Sequence, residues 1–123
     1  DEYIAARQYA AAYYDKAFSK TDKIITPKKS DFTTHVYHQY VLQLNGVDRD
    51  ELMSHLQSKG IACAIYYPVP LHEQKAYQDP RYKKGDFPVS EALCESVLAL
   101  PMHTEFTDEQ LDYVTSTILD FIA

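Results

Sequence analysis

Residues 66–77, Tyr-Tyr-Pro-Val-Pro-Leu-His-Glu-Gln-Lys-Ala-Tyr, hold the densest group of side chains able to do chemistry. Pro68 and Pro70 fix φ, remove two backbone donors and push the residues before them toward extended backbone, so His72 is reached along a stiff approach. An imidazole can donate or accept a hydrogen bond and can carry charge near neutral pH. Tyr66 and Tyr67 stand at the near end of the stretch, and Gln74 follows the histidine. A little further on, Arg81, Lys83 and Lys84 form a local concentration of cations. Together these types suit a polar pocket for an anionic ligand. The plainer reading is a solvated loop histidine beside a solvated basic face.

Other chemistries find less support. Of the five histidines, His35 and His38 are three apart, a spacing that suits a helix but sends them to opposite faces of a strand. No histidine and carboxylate share one element at ligand spacing, so no metal site is expected. The glycines (46, 60 and 85) each read as turn or cap residues, which leaves no phosphate-cradling loop and no dinucleotide fingerprint. There is no nucleophile elbow, and none of the nine lysines is flanked as a desolvated Schiff-base lysine would be. Cys63 and Cys94 lie among apolar neighbours and read as buried free thiols, not as a disulfide. On its own residues the chain lacks a catalytic apparatus.

The elements that must position these residues are legible from pattern. The 123 residues suit one domain with a single core. A formal net charge of -6 argues against nucleic acid or an anionic membrane as the main partner. No apolar run approaches the ~18 residues of a membrane span, and no leader peptide is evident, so a cytoplasmic location is expected. Residues 1–19 predict a helix, 20–33 a polar linker broken by Pro27, and 34–123 an α/β core. The chain begins Asp1-Glu2 inside that first helix, as an excised piece of something longer would, and as processing or tag removal would also leave it.

Residues 34–44 alternate with period two, placing Val36, His38, Tyr40, Leu42 and Leu44 on one face of a strand and His35, Tyr37, Gln39, Val41 and Gln43 on the other. A helix follows, with Asp48 as its cap, Glu51 as the reciprocal member of a capping box and Gly60 as its left-handed stop. Residues 61–67 predict a second strand, 88–96 a helix and 97–100 a third strand ended by Pro101. A last helix is capped by Thr107 with Gln110. Three strands and several helices make a small α/β sandwich with the helices mainly on one face. The other face then needs a partner or stays wet.

Taken together, "HVYHQYVLQL", "RDELMSHLQSKGI", "YYPVPLHEQKAY", "GDFPVSEALCESVLALPMH" and "FTDEQLDYV" resemble one known pattern. It is that of the C-terminal small domain of the DegT/DnrJ/EryC1/StrS family of pyridoxal-phosphate-dependent sugar aminotransferases, from about residue 35 to the end. The resemblance implies a fold-type I aminotransferase small domain, with 1–19 the end of a helix leading into it. It implies transfer of an amino group from an amino acid, commonly glutamate, to a keto group on a nucleotide-linked sugar, in sugar or polysaccharide biosynthesis. Pyridoxal 5'-phosphate and its Schiff-base lysine would belong to an N-terminal large domain absent here, and the whole enzyme would be a homodimer. The Tyr-Pro-x-Pro-x-His turn would face the sugar nucleotide, which makes His72, Tyr66, Tyr67 and Gln74 the substrate-binding candidates. No catalytic, cofactor-binding or metal-binding residue is implied in these 123, so the piece alone would be inactive. The competing expectation is a free-standing α/β ligand-binding or regulatory module.

Overall fold

Free of glycine and proline and rich in alanine, Glu2–Phe18 forms α1. The computed structural model describes residues 1–123. It continues through β1 (Ile24–Ile25), β2 (Tyr40–Leu44), α2 (Arg49–Ser58), α3 (Pro88–Ser96), β3 (Val97–Leu100) and α4 (Asp108–Ile122). Two single-turn 3-10 helices, Leu71–Glu73 and Lys75–Tyr77, interrupt the long connection between α2 and α3.

The three strands form one antiparallel sheet in the order β1-β2-β3. Tyr40 pairs with Leu100 and Leu42 with Leu98, so these four share a face. That face carries the core. Ala10, Tyr14 and Phe18 of α1, Leu52 and Leu56 of α2, and Leu111, Val114 and Ile118 of α4 all join it in one buried cluster. The second face is less wet than the pattern suggests: Ala99 is buried, Val41, Gln43 and Val97 are half-buried, and α3 lies against β2.

The helix ends follow local chemistry. The Asp48 carboxylate accepts from the Glu51 amide at 2.9 Å, although Glu51 does not complete the box. At the far end of α2, Gly60 takes φ +73°, Ile61 N–H donates to Leu56 O at 2.9 Å and Gly60 N–H to Gln57 O at 3.0 Å. This is a Schellman motif, sealed by the burial of both Ile61 and Leu56. The α4 box is complete: Gln110 N–H donates to Thr107 Oγ1 at 3.3 Å and Thr107 N–H to Gln110 Oε1 at 3.1 Å. Lys23 Nζ donates to the Ile122 carbonyl, where α4 presents the negative end of its dipole. Thr107→Ala is expected to lower stability by about 1 kcal/mol and Thr107→Ser to restore most of it. Urea titration reads both, and an unchanged midpoint for the alanine variant would show that the cap is dispensable.

Three predicted elements come out differently. The polar linker 20–33 contains β1, whose Ile24 is buried opposite Leu44; two residues are too few to show an alternation. The strand over 34–44 begins only at Tyr40, because Tyr37 adopts φ +47°. That left-handed residue slips the pattern by one, so Tyr37 is buried while Val36 and His38 are exposed. The strand over 61–67 reduces to a single bridge, Ala64 with Ala99, whose two hydrogen bonds measure 3.1 and 2.8 Å. Alanines offer little side-chain surface to a sheet, and Pro68 and Pro70 remove the donors that pairing would next require.

Candidate functional site

Pro70 is buried at the start of the His72 turn. Glu73 N–H donates to Pro70 O at 3.0 Å, Gln74 N–H to Leu71 O at 3.2 Å and Tyr77 N–H to Gln74 O at 2.9 Å. The stretch is therefore ordered by its own backbone as well as by its prolines. It does not hold His72 out to solvent. The side chain is only 9 % exposed, its ring lies 4.8 Å from that of Phe87, and Nε2 sits 3.0 Å from Glu91 Oε1.

Glu91 is the residue the sequence pattern missed. It lies in the first turns of α3, and its carboxylate also accepts from Gly85 N–H (2.8 and 2.9 Å to its two oxygens) and Phe87 N–H (3.2 Å). Gly85 has φ +95°, which turns its amide inward at a backbone angle few other residues adopt. Burial works against ionisation of Glu91, but the Gly85 and Phe87 amides and the His72 ring outweigh it, holding the carboxyl below its ordinary value. An ionised carboxylate only accepts, so the shared proton sits on Nε2. The His72 nitrogen left for another partner is Nδ1.

Glu73 Oε1 stands 3.8 Å from His72 Nε2, and the ligand atoms of His72, Glu73 and Glu91 lie within 4.8 Å of one another. The fold thus gathers a histidine and two carboxylates that no single element would. Both Glu91 oxygens are already taken by amide donors, so the group reads as a hydrogen-bonded brace joining the His72 turn to α3.

Of the four candidate residues, only His72 lines the clefts of this region. One, of about 520 Å³, is bounded by His72, Glu73, Tyr82, Lys83 and Lys84 among others. Beside it, one of about 450 Å³ is bounded by Leu71, His72, Tyr77, Tyr82 and Phe87. Tyr66 and Tyr67 are 53 % and 75 % exposed and line neither. The Gln74 amide is turned back, donating to Val69 O at 3.1 Å.

A model of the DegT/DnrJ/EryC1/StrS aminotransferase family matches residues 1–119. The chain belongs to that family. Among curated members, it is 37 % identical over 116 residues to a UDP-N-acetyl-3-dehydro-alpha-D-glucosamine 3-aminotransferase of Acidithiobacillus ferrooxidans, covering 94 % of this chain and 30 % of that protein. A Geobacillus stearothermophilus protein named a pleiotropic regulatory protein is 37 % identical over 123 residues, with 98 % and 32 % covered. Among solved structures, a DegT/DnrJ/EryC1/StrS aminotransferase from Brucella abortus aligns with TM-score 0.84 at 33 % identity, over 96 % of this chain and 31 % of that one. Streptomyces venezuelae DesV, solved with a ketimine intermediate, aligns with TM-score 0.87 at 29 % identity, over 95 % and 31 %. The chain spans about a third of the length of these relatives.

Aminotransferases of the DegT/DnrJ/EryC1/StrS family depend on pyridoxal phosphate, and a Streptococcus pneumoniae relative is solved in its PLP form. A Schiff-base lysine is desolvated or paired with a second cation to lower its pKa, yet all nine lysines are exposed. Arg49 and Arg81 are committed within the chain, to Cys94 O (2.5 Å) and to Asp79 (2.7 and 3.0 Å).

Proposed function

We propose that these residues form the C-terminal small domain of a pyridoxal-phosphate-dependent aminotransferase that acts on a nucleotide-linked keto sugar, with an amino acid, glutamate, for donor. The observation that carries this reading is the family match over residues 1–119 in a chain about a third as long as its relatives. Relatives named for UDP- and dTDP-linked sugars supply the substrate class. The larger remainder of the protein holds the cofactor, which when bound serves as electron sink for the amino transfer. A homodimer working in the cytoplasm completes the proposal.

In this reading the chain's own residues bind and orient. The brace of His72, Glu91 and the Gly85–Phe87 backbone fixes the wall of the substrate cleft, and His72 Nδ1 meets a hydroxyl or phosphate oxygen of the sugar nucleotide. Tyr66 and Tyr67, exposed on the same proline-stiffened segment, add contacts to the substrate, while Gln74, its amide held by Val69 O, keeps a substrate role only if that bond is exchanged for one to the ligand. Fixed contacts of this kind position the keto carbon for attack by groups held elsewhere.

Treatment with pyridoxal phosphate, then borohydride, then peptide mapping tests the division of labour. In the full-length protein the label is expected on one lysine outside these 123 residues. The 123-residue chain alone should show neither selective labelling nor amino transfer. Stoichiometric labelling of one of its nine lysines would overturn the proposal. A regulatory reading draws on the name of the Geobacillus relative; a full-length protein that takes up no label and transfers no amino group would favour it.

A further inference from the structure

Helices α1 and α4 lie side by side and run in the same direction, since Tyr9 donates to Asp108 Oδ1 at 2.7 Å and Tyr13, one turn on, donates to Asp112 Oδ1. Between them is a groove of about 720 Å³, away from the His72 turn. Tyr9, Ala12, Tyr13, Ala17 and Leu119 give it apolar surface. Its two ends carry opposite charge, Asp108 and Asp112 toward the helix N-termini and Lys16 and Lys20 toward the C-termini. Neither ammonium group is paired with a carboxylate of its own chain. The tyrosine hydroxyls engage one oxygen of each aspartate and leave the other for a cation.

The charges are spaced to meet a copy of themselves. Asp108 and Asp112 stand level with Tyr9 and Tyr13, and Lys16 and Lys20 follow along α1 with the same four-residue step. Lys20 keeps to the helical path because Ser19, just past the last residue of α1, has helical φ and ψ of -60° and -12°. The acidic levels and the basic levels are therefore mirrored about a point midway between Tyr13 and Lys16. A twofold axis lying in the contact plane at that point, across the helices, sets a second copy antiparallel to the first. Lys20 then comes beside the partner's Asp108, and Lys16 beside the partner's Asp112, twice over. A copy docked parallel would instead gather like charges at each end, so charge fixes both direction and register.

We propose that the α1–α4 face is a docking surface for a second copy of this chain, with the apolar groove closed over at its centre and four Lys–Asp pairs at its rim. Helices of 17 and 15 residues offer a face about 25 Å long and about 20 Å wide, or about 500 Å² from each copy. That extent belongs to a weak, reversible contact. Apolar closure holds the copies together, and the exposed pairs decide how they meet. The inference goes beyond the function proposed above and does not rest on it.

Sedimentation equilibrium of the 123-residue chain tests it. Helices α1, α2 and α4 and the sheet share one buried core, so this chain carries the face intact. Dimer is expected to build up as concentration rises toward about 1 mM at low salt, and to recede as salt is added. Lys16→Glu with Lys20→Glu should raise the dissociation constant about tenfold or more, because four attractive pairs become repulsive. Asp108→Lys with Asp112→Lys should do the same. An equimolar mixture of the two variants should recover a heterodimer of about the parent's affinity, since each variant's new charges meet the other's. Neither a damaged fold nor a different docking face would give that recovery. If the lysine-for-aspartate variant loses its circular dichroism signal, Asp108→Asn with Asp112→Asn takes its place. Asparagine keeps an oxygen for the tyrosine hydroxyls, and that variant should pair more weakly than the parent and lose most of the salt dependence. A parent that stays monomeric to about 1 mM, charge variants that pair like the parent, or a mixture of folded variants that yields no heterodimer would overturn the proposal.

Discussion

Above about pH 10 this chain is expected to lose stability steeply, because two of its core residues are tyrosines that the fold keeps protonated. Tyr14 and Tyr40 are both 0 % exposed, with ring centroids 5.0 Å apart. Tyr14 donates to Pro101 O at 3.0 Å and Tyr40 to Asp15 Oδ1 at 2.6 Å. Burial raises both hydroxyls above the ordinary value of 10.0, and for Tyr40 the Asp15 carboxylate raises it further. In the unfolded chain the same groups titrate near that ordinary value. Each contribution is therefore fully present below about pH 10 and is lost as pH rises toward the folded value, where the unfolded chain has released protons that the folded one retains.

Once the unfolded group has titrated, each ring costs about 1.4 kcal/mol per pH unit, so the pair costs about 3 kcal/mol per unit. A domain of this size has about 5–15 kcal/mol in all, which puts alkaline unfolding within a few units of the onset. Tyr13 is also raised, to about 12, chiefly by its hydrogen bond to Asp112, but it lies at the surface and is screened. Urea titrations across the alkaline range measure the slope. Tyr40→Phe should be less stable than the parent at neutral pH by about 1 kcal/mol for the lost hydrogen bond, yet fall only about half as steeply above the onset. A parent and variant that fall in parallel would show that Tyr40 does not drive the loss.

The second large effect belongs to the full-length protein. His72→Ala is expected to raise KM for the sugar nucleotide about 5- to 150-fold, the equivalent of about 1–3 kcal/mol for one lost hydrogen bond to the ligand. Because the contact lies away from the reacting carbon, the loss should be uniform binding and kcat should change less. The half-reaction with the amino donor involves a different ligand and should be nearly unaffected. Glu91→Gln keeps the shape of the brace but removes the charge that fixes the proton on Nε2, so it should weaken the sugar half-reaction in the same direction. If both half-reactions slow equally, His72 supports the fold or the general chemistry. If neither changes, the imidazole is a brace residue with no ligand, and the role proposed for it fails.

The features legible in the sequence are those whose causes are local in the chain. The Thr107–Gln110 box, the Asp48 cap, the Gly60 stop and the Pro101 stop each involve groups a few residues apart, so their spacing alone specifies them. The burial of Tyr40, Leu42 and Leu44 follows from period two for the same reason. His72 could be singled out because two prolines beside it are a local peculiarity, and the family could be read because several such stretches recur at fixed intervals. Pairing and partnership were not legible. Ile24–Ile25 is a strand only because Leu44 and Gln43 lie beside it, and 61–67 is not one because only Ala64 meets β3. Nothing around Tyr37 announces the left-handed turn that reverses which of its neighbours are buried. At the site, Glu91 lies 19 residues from His72 and on another element, and Tyr82, Lys83 and Lys84 come to it through a loop. Only the packing of that loop and α3 against the His72 turn decides that Nε2 is occupied, that Nδ1 is free and that an aromatic and a cationic cleft meet there, because each of these depends on contacts between segments whose separation along the chain carries no period.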